Sequence, residues 1–275
     1  MINDKKISFC NQVYNEPEAI RRYLNSCLYF DNIVDEVFII NHRSSDDTLD
    51  IIKSFVDTYD KTNIKLRFKT EPRDFSKDFM IADLFGDAVA SCENEIVFRH
   101  DADFVFGPKY TDLVKVCVSH LSNPSVYACG YEIPCVSKSL EIVDGMIKSF
   151  GFCNLHVPVP RVFKKTKTVC RQDHMGGKYE FFYPTDSKCS QWVQMKYVKD
   201  SLISVNIKPE ERMKQRETMN TYMKDVVDGV DHDNWMDCDE LKSEIEPQNK
   251  PSFRSFNIIG QRILHDDIYF IDKVK

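Results

Sequence analysis

The sequence predicts an α/β fold whose first half carries a parallel-dominated mixed sheet and whose second half is α+β. Three observations carry this. Runs rich in β-branched and aromatic residues at Ile7 to Val13, Glu36 to Ile40, Lys65 to Lys69 and Glu95 to Asp103 alternate with stretches of helical spacing. Polar clusters at 11–15, 41–47 and 101–103 follow three of these runs, where a parallel sheet opens its ligand crevice. Beyond residue 125 the pattern changes to extended segments, which divides the chain into 1–125 and 126–275, the latter with a C-terminal extension.

Composition narrows the setting. A chain of 275 residues with 42% hydrophobic content can bury a sizeable core. Its net charge of −6 argues against binding nucleic acid or membrane by global charge, so any such contact needs a local basic patch. Ten cysteines without a C-x-x-C pair, several inside apolar patterns, read as reduced buried thiols. The N-terminal stretch lacks the apolar run of a signal peptide and no segment has the length of a membrane span, so a cytoplasmic protein is expected. The oligomeric state is left open.

The first strand leads to Asn15, Glu16 and Pro17, where Asn15 is placed to cap a helix that Pro17 enters in its first turn. Ile20, Tyr23, Leu24, Cys27 and Leu28 then mark an amphipathic helix. The second strand breaks into Asn41 to Thr48, where Ser44 and Asp47 have capping-box spacing, before helical spacing resumes at Leu49, Ile52, Val56 and Tyr59. A third strand at Lys65 to Lys69 and a helix over Phe75 to Cys92 precede the central strand. A helix through Leu113, Cys117 and Leu121 closes the first half. The second half reads as strands at Ser125 to Val136, Pro158 to Phe163 and Tyr179 to Tyr183, then a helix at Met213 to Val227.

The central strand runs into Asp101-Ala102-Asp103. Carboxylates two residues apart at an exposed strand end leave room for a hard divalent cation and the phosphates it carries. A solvated strand end explains such a pair equally simply. The three motifs together, ISFCNQVYNEPEAIRRYL, EVFIINHRSSDDTLDII and EIVFRHDAD, resemble the family 2 glycosyltransferases of the GT-A fold. That resemblance implies a Rossmann-like nucleotide-binding half and an acceptor-binding half. It also implies a metal-dependent inverting transfer of a sugar from a nucleoside-diphosphate sugar, UDP being the expected carrier, to an acceptor hydroxyl. Val13, Asn15, Asn41 and Asp101 would bind the donor, and Asp103 would hold Mn²⁺ or Mg²⁺. Two positions depart from the pattern: Asn41 replaces the usual aspartate and Arg43 the usual glycine.

In the second half, Pro160 to Lys165 is similar to the P-R-L-F-R/K stretch of one subgroup. In that subgroup a short loop ending in an H-E pair follows; the nearest match here, Gln172 to Gly177, reverses the order of acid and histidine. The resemblance makes Asp173 the candidate general base and His174 a candidate metal or phosphate ligand, either being equally a surface polar residue, with Glu180, Asp186, His232 and His265 in reserve. Arg161, Lys164, Lys165, Lys167 and Arg171 form a basic run with no acidic residue between them. It is a candidate patch for the diphosphate or for a phosphate-bearing acceptor, and equally a lysine-protected strand edge. Trp192 and Trp235 are candidates to stack on a sugar or base, or to pack in the core. The acceptor is left open between a glycan, a lipid and DNA. A phage-type transferase acting on hydroxymethylated bases in a host cytoplasm is one alternative. A non-catalytic nucleotide- or nucleic-acid-binding module and a nucleotidyltransferase are the others.

Overall fold

The computed structural model describes residues 5–75, 79–107, 109–136, 141–143, 146–149, 152–172, 180–195 and 204–207. The first half alternates as expected: β1 (Ile7–Val13), α1 (Pro17–Cys27), β2 (Glu36–His42), α2 (Thr48–Ser54), α3 (Val56–Tyr59), β3 (Lys65–Glu71), α4 (Ile81–Ser91) and β4 (Ile96–Asp101). There follow β5 (Phe104–Phe106), α5 (Tyr110–Leu121), β6 (Val126–Val136), β7 (Glu141–Val143), β8 (Met146–Ser149) and β9 (Phe152–Lys164). The remaining strands are β10 (Thr168–Gln172), β11 (Glu180–Pro184), β12 (Gln191–Met195) and β13 (Ser204–Ile207). The expected helix at 213–227 lies outside the described residues.

Nine strands form one mixed sheet in the order β3-β2-β1-β4-β9-β6-β13-β5, with β12 also on β6. The β1–β2, β2–β3 and β1–β4 pairs are parallel. Strand order reverses beside β1, so the crevice of this sheet opens at the carboxyl ends of β1 and β4. On the other side of β4, β9 pairs antiparallel to β4 and to β6, so the sheet continues without a break across residue 125.

Side-chain alternation explains the layers. Ile7, Phe9 and Val13 of β1, Val37 and Ile39 of β2 and Phe98 of β4 pack with α1, α2 and α5 on one face. Cys10, Phe38, Ile40, Val97 and Phe163 pack with α4 on the other. All seven residues of β2 are buried, which is why EVFII reads as a continuous apolar run. Strand β3 is an edge and stays half exposed, with Lys65, Arg67 and Lys69 alternating along it.

The amino-terminal end of the sheet is closed by a polar knot. Glu36, 1% exposed on its side chain, accepts from Arg67 Nη1 at 2.6 Å, from Ser8 Oγ at 2.5 Å and from the backbone N–H of Glu93 at 2.7 Å. Three donors on one buried carboxylate make it a structural tie across β1, β2, β3 and the α4–β4 turn. Replacing Glu36 by Gln removes the charge that these donors share. We expect a loss of about 2–4 kcal/mol in urea unfolding, with ligand affinity at the opposite end of the sheet unchanged in the protein that remains folded.

Candidate active site

The loops after β1 and β2 are laced together. The N–H of Asn15 donates to Ser44 Oγ at 3.0 Å, and Asn15 Oδ1 accepts from the N–H of Ser45 at 2.8 Å. The N–H of Glu16 donates to Thr48 Oγ1 at 2.9 Å. This corrects both capping expectations. Glu16, not Asn15, occupies the α1 cap position, and Asp47 at the start of α2 makes no side-chain cap bond. Hydroxyls that suit a helix start instead bind the neighbouring loop, and Asp46 Oδ1 takes the N–H of Thr48 at 3.0 Å. Asn15 and Arg43 both sit in the left-handed region, at φ 49° and 53°. Glycine meets that demand without steric cost, which explains why the family pattern has one where this chain has Arg43. Here the strained arginine is tied to Asp74 by an exposed ion pair.

At the floor of these loops, Asn41 is 1% exposed and its Oδ1 has no hydrogen-bond partner. Val13, its register partner, is 2% exposed and belongs to the apolar core, so it offers the crevice its backbone and not its side chain. His42 donates or accepts through Nε2 at Arg73 O, 2.9 Å away, and a carbonyl can only accept, so Nε2 carries the proton. Burial holds its pKa below the usual imidazole value, and its ring lies 4.5 Å from that of Phe75.

The Asp101–Asp103 turn departs most from expectation. Asp101 lies between two buried guanidiniums, with Arg99 Nη2 and Arg161 Nη1 each 3.3 Å from one of its oxygens. Arg99 also stacks 3.7 Å over the ring of Phe85. Asp103 is 1% exposed, so it is not the rim carboxylate that the sequence suggests. Near it lies Arg22 of α1, itself buried, whose pKa burial lowers to about 10 while Asp103 and Glu18 pull it back up. Arg22 was not singled out in the sequence. Its signal is a charge adjoining the apolar stripe of Ile20, Tyr23 and Leu24.

Behind the turn runs a buried polar chain. Tyr23 Oη lies 2.9 Å from His100 Nδ1, His100 Nε2 lies 2.6 Å from Tyr110 Oη, and Tyr110 Oη lies 3.1 Å from Tyr131 Oη. Burial first, then Arg161, drives the His100 pKa well below the ordinary value. The ring is therefore neutral, donating from one nitrogen and accepting at the other. Its burial follows from its place on the same face of β4 as Ile96 and Phe98, at period two.

Residues 8–139 match the sequence profile of Glycosyl transferase family 2. Residues 8–139 are a family 2 glycosyltransferase domain. Among solved structures, a mannosyltransferase from Pyrobaculum calidifontis in complex with GDP-Man and Mn²⁺ is 23% identical, with a TM-score of 0.37 over 46% of this chain and 34% of that one. Glucosyl-3-phosphoglycerate synthase from Mycobacterium tuberculosis, in complex with Mn²⁺, UDP and glucosyl-3-phosphoglycerate, is 17% identical, with a TM-score of 0.36 over 46% of this chain and 44% of that one. The chain thus spans less than half the length of either protein. No curated protein matches the chain.

The basic run that follows the glycosyltransferase domain does not form one surface. Arg161 is buried against Asp101, whereas Lys164 pairs in register with Ile96, at the amino end of β4 and the opposite end of the sheet from the turn. Lys164 Nζ caps the carbonyl of Asn123 at 2.6 Å, Lys165 Nζ caps that of Cys92, and Lys167 pairs with Asp186 at 3.7 Å. Two of these lysines satisfy carbonyls beyond helix ends, and none of the three can serve a diphosphate at the Asp101–Asp103 turn. Arg171 is exposed on β10. Trp192 packs against the core under α4. Asp173, His174, His232, Trp235 and His265 lie outside the described residues, as does the side chain of Glu180.

A divalent cation is implied by the family, but the described residues fit one poorly. Both oxygens of Asp101 already face guanidiniums, Asp103 is buried beside a third, and among the described residues no three His, Cys, Asp or Glu side chains gather as a ligand set. No helix among the described residues is long and apolar enough to cross a membrane.

Two tests follow the burial. Asp103→Asn strands the buried Arg22 without that counter-charge, so it should lower the unfolding free energy by about 3 kcal/mol; Asp103→Asn with Arg22→Met should recover part of this in urea titration. His100 is neutral when folded and protonated when unfolded at low pH. Its contribution is thus complete above the unfolded-state value of about 6.5 and falls as pH drops below it. The urea midpoint should fall between about pH 7 and about pH 5.5, and His100→Gln should flatten this slope, leaving a remainder from His42, which shifts in the same direction.

Proposed function

We propose that the chain transfers a sugar from a nucleoside-diphosphate sugar to an acceptor hydroxyl, with inversion at the anomeric carbon. The observation that carries this reading is the crevice within the glycosyltransferase family 2 domain. The laced Asn15 and Ser44–Ser45 loops, the unpartnered Oδ1 of Asn41 and the Asp101 turn meet at the carboxyl ends of adjacent strands. The loops border the base and ribose. A buried acceptor without a partner costs on the order of 1–3 kcal/mol, which a base N–H recovers on binding. Uracil N3–H fits that acceptor, and UDP is the expected carrier.

In the transfer, the acceptor oxygen attacks the anomeric carbon as the bond from that carbon to the diphosphate oxygen breaks. The acceptor proton passes to a general base, for which Asp173 is the candidate, and the electron pair of the broken bond leaves with the nucleoside diphosphate. Were Mn²⁺ or Mg²⁺ to bind despite that poor fit, His174 would be a candidate ligand and the ion would add positive charge beside the diphosphate. The dispersal of Lys164, Lys165 and Lys167 weakens the case for a DNA acceptor and favours a glycan or lipid hydroxyl.

Donor hydrolysis by the full chain, screened over nucleotide-sugars with Mn²⁺, tests this. Slow release of a nucleoside diphosphate supports the transferase. Release of pyrophosphate from a nucleoside triphosphate identifies a nucleotidyltransferase, and binding without turnover identifies a binding module. Asn41→Ala should raise the donor dissociation constant about tenfold, as loss of one hydrogen bond of roughly 1–1.5 kcal/mol implies. Unchanged affinity for every donor that the wild type binds would remove Asn41 from the site.

A further inference from the structure

We propose that Arg161, supported by Arg99, is the anchor for the donor diphosphate, so that guanidinium groups of the protein, and not a cation alone, take up the charge of the leaving group. This rests on the nucleotide-sugar reading above.

Arg161 comes from β9, beyond the glycosyltransferase family 2 domain, and is delivered to the carboxyl end of β4 by the antiparallel β4–β9 pairing, in which Phe98 faces Val162. It is 4% exposed. Its Nη1 donates to Asp101, while its buried Nε–H has no hydrogen-bond partner. An unsatisfied N–H on a buried cation is costly, and the remedy it calls for is an anionic oxygen. The charge around it points the same way. Arg99 and Arg161, both buried at the turn, each donate to Asp101. Two guanidiniums on one carboxylate favour an anion nearby and oppose a further cation placed on Asp101.

The groups around Arg161 suit an anchor. Asp101 fixes the guanidinium from one side, and the Tyr131 hydroxyl, whose pKa burial raises and the charge of Arg161 partly pulls back, ends the buried Tyr23–His100–Tyr110 chain. A planar fork held in this way presents donors to phosphate oxygens at little entropic cost, which a flexible lysine does not. In the transition state the bridging diphosphate oxygen gains negative charge, and a preorganised guanidinium stabilises it without moving a proton.

The test is calorimetric titration of the full chain with nucleoside, nucleoside monophosphate and nucleoside diphosphate of the uridine and guanosine series, in chelator and in Mn²⁺. Wild type is compared with Arg161→Lys, Arg161→Gln and the paired variant Asp101→Asn with Arg161→Gln. The pair leaves no stranded carboxylate, so it reports binding even where Arg161→Gln alone fails to fold. The proposal expects wild type to bind diphosphate in chelator within about tenfold of its affinity in Mn²⁺. It expects the glutamine variants to lose about ten- to hundredfold toward diphosphate, with nucleoside affinity kept and the lysine variant between. Unchanged diphosphate affinity in a folded glutamine variant overturns it, as does wild-type binding that falls to the nucleoside level in chelator. Unchanged diphosphate affinity with weaker displacement by a sugar phosphate assigns the guanidinium to an acceptor phosphate and also overturns it. If wild type binds neither nucleoside nor diphosphate under any condition, the nucleotide-sugar reading itself has failed.

Discussion

Strands covered on both faces leave only their ends for chemistry, and that constraint organises the molecule. With α1, α2 and α5 on one face and α4 on the other, most side chains along β1, β2 and β4 are committed to apolar packing. Polar groups collect at the two ends and do different work there. At the amino end Glu36 ties strands together with every donor satisfied. At the carboxyl end Asn41 and Arg161 keep polar atoms without a partner inside the protein, a cost that a bound ligand would offset.

The same division explains what was legible in the sequence. Periodicity revealed β1 to β4 and their helices because each segment's burial pattern is set by its own neighbours in the chain. Helix ends were less legible. Ser44 and Thr48 carry hydroxyls suited to a cap, yet a loop 29 or 32 residues away offers backbone N–H groups that they take instead. A hydroxyl's preference for an orphan N–H is local chemistry, but which N–H it meets is a tertiary fact.

The basic run fails to be a patch for a related reason. Arg161, Lys164, Lys165 and Lys167 are close in sequence, but a strand advances about 3.3 Å per residue, and β9 carries the first to one end of β4 and the second to the other. Nearness along a strand places charges at opposite ends of a sheet as readily as on one surface. What survives is the pairing of Asp101 with Arg161, which joins the family 2 domain to the segment that follows it.

The insertion of β9 between β4 and β6 also bears on how the chain reaches this fold. β4 is made early and its second neighbour late, so until residue 164 has been synthesised β4 presents an unpaired, apolar edge. Pairings between strands so distant in sequence close slowly, because the loop between them must be ordered before the contacts return any energy. A nascent or truncated chain ending near residue 125 therefore holds most of the parallel part of the sheet with its central strand open to strands of other molecules, a template for aggregation that only the later segment removes.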